Sequence, residues 1–426
     1  MPPIADHPLR YSLANELHAR PFPAMSVPAT GLFLAIKREE GAAARDRDQD
    51  LAHLVALLDR HGAPHPQPGA THYSGKIGRH TLRWESHTEF VTYTVFAEGA
   101  GQRPFDPAEA SVLPEDWLAE APGVRITSAL IRVVPWKDKE NARAAIADHF
   151  VAESVAVARV LDNAAVIASD FRIDEAGHQR ILVIAAPSIG PNRVGRIVTR
   201  LCEIETYKSM SMLGFSRVRS LEPRMGEIDA RLSRMIEEMT GGGSSSEETL
   251  RVLLDISAEL EAMVARASFR FGATAAYERI VTQRINVLRE ERFEGRQTFT
   301  EFMMRRYQPA MRTVESTQAR LAAMADRARR AGELLRTRVE VERSAQNQSL
   351  LESMDQRADM QLKLQKTVEG LSVVAISYYA VSLAGYLLYP LAAGLGMSKG
   401  VLTALVTLPI ILAVWLIIRR IRGAVH

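Results

Sequence analysis

This 426-residue chain contains one cysteine and none of the short motifs that mark several common enzyme classes. The single cysteine, Cys202, excludes a disulfide framework and a cysteine-based zinc site. The sequence also lacks a serine nucleophile elbow, a zinc-binding motif and a glycine-rich nucleotide fingerprint. We therefore expect a protein that is not an enzyme and that uses no cofactor.

Charge is unevenly distributed along the chain. The net charge is +3, but four basic residues and no acidic residue follow Gly370, so the larger N-terminal part is slightly acidic. A nucleic-acid-binding protein carries its basic excess on the folded domain that contacts the phosphates. We therefore expect no nucleic-acid partner, and we expect the lipid bilayer to be the partner of the apolar C-terminal part.

Two stretches near the C-terminus, residues 370–398 and 400–418, contain no charged side chain. Each exceeds or approaches the roughly 20 residues that cross a bilayer, and two such runs would be unusual in a buried helical hairpin of a soluble core. Lys363 and Lys366 precede the first stretch and three arginines follow the second, and such basic residues stay in the cytoplasm. Because the N-terminus has no apolar export signal, the sequence predicts a two-span protein of the cytoplasmic (inner) membrane with both termini cytoplasmic.

The rest of the sequence changes from strand-like to helical patterns near Pro191. Short or alternating apolar runs predict strands at residues 31–37 and 124–134, a hairpin within residues 77–96, and a further pair before residue 186. After Pro191, apolar residues at helical spacing predict helices over 194–213, 225–239 and 247–292. A heptad-like seam then predicts a long helix that continues into the first span: Met303, Tyr307, Ala310, Val314, Thr317, Leu321, Met324, Ala328, Ala331 and Leu335.

The predicted fold class is α+β, with an N-terminal cytoplasmic α/β domain, a long helical coiled-coil stalk and a C-terminal two-helix transmembrane hairpin. The predicted boundaries are the α/β domain at 1–190, a helical segment at 191–240, a Gly/Ser linker at 241–248, the stalk at 249–369, transmembrane helix 1 at 370–391, an external turn at 392–400, transmembrane helix 2 at 401–418 and a basic cytoplasmic tail at 419–426. A long exposed helix is rarely stable alone. We therefore expect the stalk to pack on the 247–292 helix, on copies of itself in a homo-oligomer, or on both.

Two motifs rich in polar and aromatic residues are candidate sites. NELHARPF (residues 15–22) contributes Asn15, Glu16, His18 and Arg20, and LRWESHTEF (residues 82–90) contributes Trp84, Glu85, His87 and Glu89. In extended backbone Glu85, His87 and Glu89 share a face. A carboxylate beside a histidine suits ion binding or acid–base chemistry, so an enzyme that uses Glu16, His18, Glu85 and His87 stays an alternative. The other interpretation is a structural hydrogen-bond network that joins the N-terminal arm to the sheet.

Two further patterns resemble binding motifs without meeting their chemistry. Six histidines occur between residues 53 and 87 at irregular spacing, which predicts no dedicated metal site and leaves metal binding unknown: His53, His61, His65, His72, His80 and His87. GPNRVGR, residues 190–196, has glycines at P-loop separation, but Arg196 stands where the phosphate-binding lysine is required. We interpret GPNRVGR as a strand-to-helix connection.

One face of the predicted first span carries hydroxyl groups. Ser372, Tyr379, Ser382 and Tyr386 lie at spacings of seven, three and four residues. Such a face can line a water-filled pathway, and it can equally form a contact between membrane helices.

The motifs NELHARPF and LRWESHTEF resemble those of the DUF3422 family, which comprises predicted membrane-anchored bacterial proteins of unknown function. The resemblance extends over nearly the whole chain and implies no particular activity.

The C-terminal architecture resembles that of CorA-type divalent-cation transporters, in which a long helix enters the first of two spans. Those transporters place a Gly-Met-Asn signature directly after that span, whereas this chain has Gly396-Met397-Ser398 further along the turn. The resemblance implies an oligomeric channel or transporter for a divalent cation, with the hydroxyl face lining the pore and Met397 at its outer mouth. The alternative is a membrane-anchored scaffold that binds a partner through its stalk and α/β domain.

Overall fold

The computed structural model describes residues 4–11, 13–14, 22–39, 41, 45–101, 103–241 and 246–425. The chain divides into two compact units, the first of Met1–Gly243 and Arg251–Ala331 and the second of Ser244–Leu250 and Gly332–His426. The described part is mixed α and β, with one large sheet and several long helices. The mixed α+β class predicted from the sequence is therefore confirmed.

The described strands of the first unit form one sheet. In chain order they are β1 (Ala29–Lys37), β2 (His72–Ile77), β3 (His80–Ser86), β4 (Phe90–Glu98), β5 (Val124–Pro135), β6 (Ala156–Val160), β7 (Ala165–Ser169), β8 (Gln179–Ala185) and β9 (Glu291–Arg292). Their order in the sheet is β2-β3-β4-β1-β5-β8-β7-β6-β9. Strands β5 and β8 are parallel, and the other neighbouring pairs are antiparallel. The strands predicted at 31–37 and 124–134, the β3–β4 hairpin and the pair β7–β8 are confirmed, whereas β2, β6 and β9 were not predicted.

Helices cover both faces of this sheet. The described helices are α1 (Arg47–Arg60), α2 (Glu115–Ala119), α3 (Lys139–His149), α4 (Pro191–Gly241), α5 (Ser246–Leu288), α6 (Phe299–Arg306), α7 (Gln308–Gly394) and α8 (Lys399–Val425). One core contains Leu54, Trp117 and Ile146 from α1 to α3, and the other contains Ile197 and Ile285 from α4 and α5. Because both faces are buried, side chains that alternate along a strand enter different cores.

Three helix boundaries differ from the predictions. Helix α4 is continuous and contains Pro223, although a break was expected before residue 225. An interior proline costs about 3 kcal/mol, and the burial of Leu221 and Met225 on either side offsets that cost. Helix α5 ends at Leu288, earlier than expected. The helix predicted to carry the seam is two helices, α6 and α7, and Pro309 lies in the first turn of α7, where its missing N–H needs no partner.

The ten predicted seam residues are all buried. In the first unit α7 packs beside α4, where Tyr307 and Ser211 hydroxyls are 2.7 Å apart and Arg320 donates to Asp229 at 2.9 Å. In the second unit the hydroxyl of Ser246 donates to Glu342 at 2.9 Å, so α7 also contacts the start of α5. From residue 340 to residue 368 the helix is exposed, including its apolar residues Leu350, Leu351, Met354 and Leu364.

The second unit contains two helical segments that are long and apolar enough to cross a membrane, by length and composition. They are the C-terminal part of α7 and the first 22 residues of α8, Lys399–Arg420. Their large apolar side chains are mostly exposed, with Leu387 70% and Leu408 76% accessible. Since a helix of a soluble core buries such side chains, this exposure favours association with lipid.

Candidate functional site

The motif LRWESHTEF forms strand β3, a short connection and the start of β4. Trp84 pairs with Tyr93 across the hairpin, and both side chains are buried in the core that α1 covers. Glu85, the next residue, faces helix α4 on the opposite side of the sheet. Trp84 therefore belongs to the packed core, while Glu85 is available to a site.

A cavity of about 290 Å³, here called the hairpin cavity, lies between this hairpin and helices α4 and α5. Its charged and aromatic lining residues are Phe22, Phe33, Arg83, Glu85, His87, Phe90, Glu203, Tyr207 and Arg284. Phe22 is the last residue of the motif NELHARPF, so residues of both motifs line one cavity. The other predicted residues of that motif, Asn15, Glu16, His18 and Arg20, lie outside the described residues.

Two ion pairs line the hairpin cavity. Arg83 Nη2 donates to Glu85 Oε1 at 2.9 Å, and Arg284 Nε donates to Glu203 Oε2 at 2.6 Å. Burial raises the pKa of the Glu203 carboxyl, and the Glu85 charge adds to this rise while Arg284 opposes it. Arg83 is held further by Thr199, whose hydroxyl accepts from Nη1 at 3.4 Å. The cavity thus presents guanidinium and carboxylate groups together, each held by a bonded partner.

Aromatic rings form another part of the lining. The His87 ring stacks on Phe90 with centroids 4.4 Å apart, and the Tyr207 ring is nearly perpendicular to the same imidazole, with centroids 6.4 Å apart. The Tyr207 ring also contacts the ring of Tyr277 in α5, with centroids 5.4 Å apart. Such surfaces suit the apolar or flat part of a ligand, while the ion pairs orient its charged groups.

Glu89 does not share the hairpin cavity with Glu85 and His87, because β3 ends at Ser86 and the connection is not extended. Its carboxylate is 1% exposed, forms an ion pair with Arg270 and accepts from the Tyr277 hydroxyl at 2.8 Å. Burial and this bond raise the pKa of Tyr277. The nearby Lys37 has a lowered pKa, owing to burial and Arg270, which Glu89 opposes. Glu89 therefore ties the hairpin to α5.

The helical side of this site was not predicted from the sequence. Glu203 and Arg284 line the hairpin cavity, and the neighbouring Glu205 is 2% exposed. Glu205 accepts from Thr127 at 3.0 Å and from Gln179 at 2.6 Å, which joins α4 to the sheet. Buried carboxylates in a helix usually have partners. Glu203 and Glu205 alternate with the apolar residues Cys202 and Ile204, and this alternation could have indicated two buried, paired carboxylates.

Metal ligands are not grouped in the described part of the chain: no cluster of three or more His, Cys, Asp or Glu side chains there could hold an ion. Two of the histidines between residues 53 and 87 illustrate how their environments differ. His53 is buried between Tyr93 and Trp117, and His65 contacts Asp59 at 2.6 Å.

A family model described as a protein of unknown function (DUF3422) matches residues 5–425. The chain belongs to the DUF3422 family. No curated protein and no solved structure matches it significantly. Family membership therefore leaves the activity of this DUF3422 protein to be argued from its own residues.

The predicted hydroxyl face of the first span divides between two environments in this DUF3422 protein. Ser382 and Tyr386 line a groove of about 550 Å³ between α7 and α8, opposite Thr403 and Thr407. Ser372 instead donates to the Val368 carbonyl at 2.8 Å, and Tyr379 is exposed. Met397 lies in the connection after α7. Lys399 ends the groove, with its ammonium 5.5 Å from the Tyr386 ring centroid.

Proposed function

We propose that this DUF3422 protein is a membrane-anchored binding protein whose first unit holds a small zwitterion of amino-acid size in the hairpin cavity. The observation that carries the proposal is the pairing of Arg83 with Glu85 and of Arg284 with Glu203 around one small cavity. Guanidinium groups bind a carboxylate through two parallel hydrogen bonds, and glutamates accept from an ammonium group. A zwitterion carries both a carboxylate and an ammonium group, so it can bind the arginine and the glutamate of an ion pair at the same time.

The volume and lining of the cavity favour binding of a small molecule. At about 290 Å³ it lies near the lower end of the usual range for ligand sites. His87, Phe90 and Tyr207 supply apolar surface for a side chain of the ligand. The Cys202 thiol also lines the cavity, but burial raises its pKa and keeps it in the unreactive protonated form. These features support binding rather than catalysis.

The C-terminal helices support the anchoring part of the proposal. Lys363 and Lys366 precede the apolar part of α7, and Arg419 and Arg420 follow that of α8. This distribution favours a two-span protein of the cytoplasmic (inner) membrane with both ends in the cytoplasm. Arg419 lies 5.1 Å from the ring centroid of Trp415, as is usual for residues at a membrane interface.

Calorimetric titration of the full chain in detergent tests the binding proposal. We expect at least one member of a panel of zwitterionic amino acids to bind, and we expect Glu203→Gln to weaken that binding about tenfold because a charged acceptor is lost. Glu261→Gln, at an exposed position of α5, is the matched control. Replacing both spans by an unrelated hairpin should leave the affinity unchanged. Failure of the whole panel to bind, or equal affinities for the wild type and Glu203→Gln, would refute the proposal.

A second candidate function is the passage of a divalent cation through a homo-oligomer of CorA-like build. The observation that favours it is the groove between the spans, where the hydroxyl groups of Ser377, Ser382, Thr403 and Thr407 occur. Hydroxyl oxygens can replace part of the hydration shell of an ion. The ammonium of Lys399 in the same groove repels cations, however, and this is why we place binding first.

Flux measurements on liposomes test the second candidate. The protein would be reconstituted and assayed with Mg, Co, Ni and Zn, and Ser382→Leu should block the flux while Ser372→Leu, outside the groove, should not. Lys399→Gln should increase the flux, because it removes the repelling charge. The absence of flux for all four ions, with wild type equal to Ser382→Leu, would refute passage.

A further inference from the structure

A larger cavity of about 1100 Å³ opens where α4 begins and α5 ends. We call it the arginine cavity, because five of its lining residues are Arg193, Arg196, Arg200, Arg279 and Arg289. The three arginines of α4 are separated by three and four residues, which places them on one face of the helix. Across the cavity, α5 contributes Gln283 and Asn286 at the same helical spacing from Arg279.

Only part of this positive charge is balanced by carboxylates. Asp162 lies 2.6 Å from Arg289 and 3.8 Å from Arg193. Glu278 also lines the cavity, but the charges that act on its carboxyl are Glu315 and Arg312 of α7. Among the residues that the structure describes, no carboxylate lies within 4.0 Å of Arg196, Arg200 or Arg279.

The guanidinium groups of Arg196 and Arg200 repel each other, and that of Arg200 is partly removed from water. Arg200 has a lowered pKa, because it is partly buried and lies close to Arg196 and Arg284, and the Glu203 carboxylate opposes this shift only in part. The N-terminus of α4 adds the positive end of its helix dipole to the same region. Folding therefore concentrates positive charge at one open cavity, and a bound anion would lower the electrostatic free energy of this arrangement.

We propose that the arginine cavity binds a phosphorylated small molecule, with the phosphate on Arg196, Arg200 and Arg279. Guanidinium groups match the oxygens of a phosphate with paired hydrogen bonds. The side chains of Thr282, Gln283 and Asn286 supply donors and acceptors for a polar ligand body, and the volume leaves room for one. The site is separate from the hairpin cavity and does not depend on a zwitterion being bound there.

Titration of the full chain in nanodiscs of neutral lipid tests this site, with inorganic pyrophosphate and ATP as probes. We expect binding that weakens as NaCl increases, and a loss of about tenfold in affinity for Arg196→Gln and for Arg200→Gln. Arg305→Gln is the matched control, because Arg305 is exposed in the same unit and does not line the cavity. If neither probe binds, or if Arg196→Gln binds as tightly as the wild type, the proposal is overturned.

Two additions make the result independent of folding and identify the source of the phosphate. Arg196 is exposed, so Arg196→Gln should melt at the wild-type temperature without ligand, and Arg196→Lys should lose less affinity because it keeps the charge but not the paired bonds. In nanodiscs that contain anionic phospholipid, weaker pyrophosphate binding would identify a lipid headgroup as the competing phosphate. Unchanged binding there would identify a soluble ligand. Equal affinity of Arg196→Lys and Arg196→Gln to the wild type would again overturn the proposal.

Discussion

The buried carboxylate of Glu89 offers a sharp test of how the β3–β4 hairpin is held against α5. In Glu89→Ala, the Arg270 guanidinium and the Tyr277 hydroxyl both lose their partner, and the Arg270 side chain is 17% exposed in the wild type. Removing one partner of a buried ion pair costs about 3–5 kcal/mol. Since Arg270 keeps some contact with water, we expect the lower end, about 3 kcal/mol.

Thermal unfolding of the full chain in detergent measures this loss. For a domain of this size, about 2 °C of melting temperature corresponds to 1 kcal/mol, so Glu89→Ala should melt roughly 6 °C lower. Glu89→Gln keeps an acceptor for Tyr277 and should lose less, and Glu261→Gln, exposed on α5, should melt as the wild type does. In a double-mutant cycle with Arg270→Ala, the combined loss should fall short of the sum by about 1–3 kcal/mol. Strictly additive losses would refute the proposed tie.

Three further predictions concern stability and association. Burial lowers the pKa of His53 below 6.5. The folded protein therefore binds a proton at His53 less readily than the unfolded chain, and stability present above pH 6.5 is lost as the pH falls. The melting temperature should fall more between about pH 7 and about pH 5 for the wild type than for His53→Phe. Thr298→Ala removes the capping box of α6 and should cost about 1 kcal/mol in chemical denaturation, whereas Thr298→Ser should not. Leu321→Ala should lower the free energy of unfolding by about 2–5 kcal/mol, because Leu321 is buried in α7. Leu350 is exposed, so Leu350→Ala should change it by less than about 0.5 kcal/mol. Leu350→Asp should reduce the fraction of the proposed homo-oligomer in sedimentation experiments.

Periodicity predicted the helices of this fold better than its shorter strands. The seam of α7 was predicted because buried residues recur at each turn of the helix. The repeat ends at Val339, and the next residues are exposed as far as residue 368. Strand β2 was missed because Gly75 reads as a strand breaker. In the structure the Tyr73 hydroxyl lies 2.2 Å from where a Cβ of Gly75 would be, so the glycine makes room for a neighbouring ring.

The candidate site was only partly readable from the sequence. Successive residues of LRWESHTEF point to opposite faces of the sheet, so Trp84 and Glu85 were expected on different faces. In the structure Trp84 lies in the core and Glu85 lines the hairpin cavity. Glu203 and Arg284 belong to different helices, and nothing local in the sequence pairs them. The arginines of the arginine cavity were visible only as the failed P-loop pattern around Arg196. That pattern was interpreted as a strand-to-helix connection, but only Gly190 lies in the connection, because α4 begins at Pro191.

Helix α4 lines both cavities, because residues on different faces of the helix point to different cavities. Thr199, Glu203 and Thr206 face the hairpin cavity, whereas Arg196 and Arg200 face the arginine cavity. The charges of Glu203 and Arg284 act on Arg200, so the two sites share an electrostatic environment. A phosphate beside Arg200 would weaken the positive potential at Arg284, and thereby its attraction for a carboxylate in the hairpin cavity. Because such coupling is reciprocal, a zwitterion bound at Arg284 would reduce phosphate affinity by the same factor.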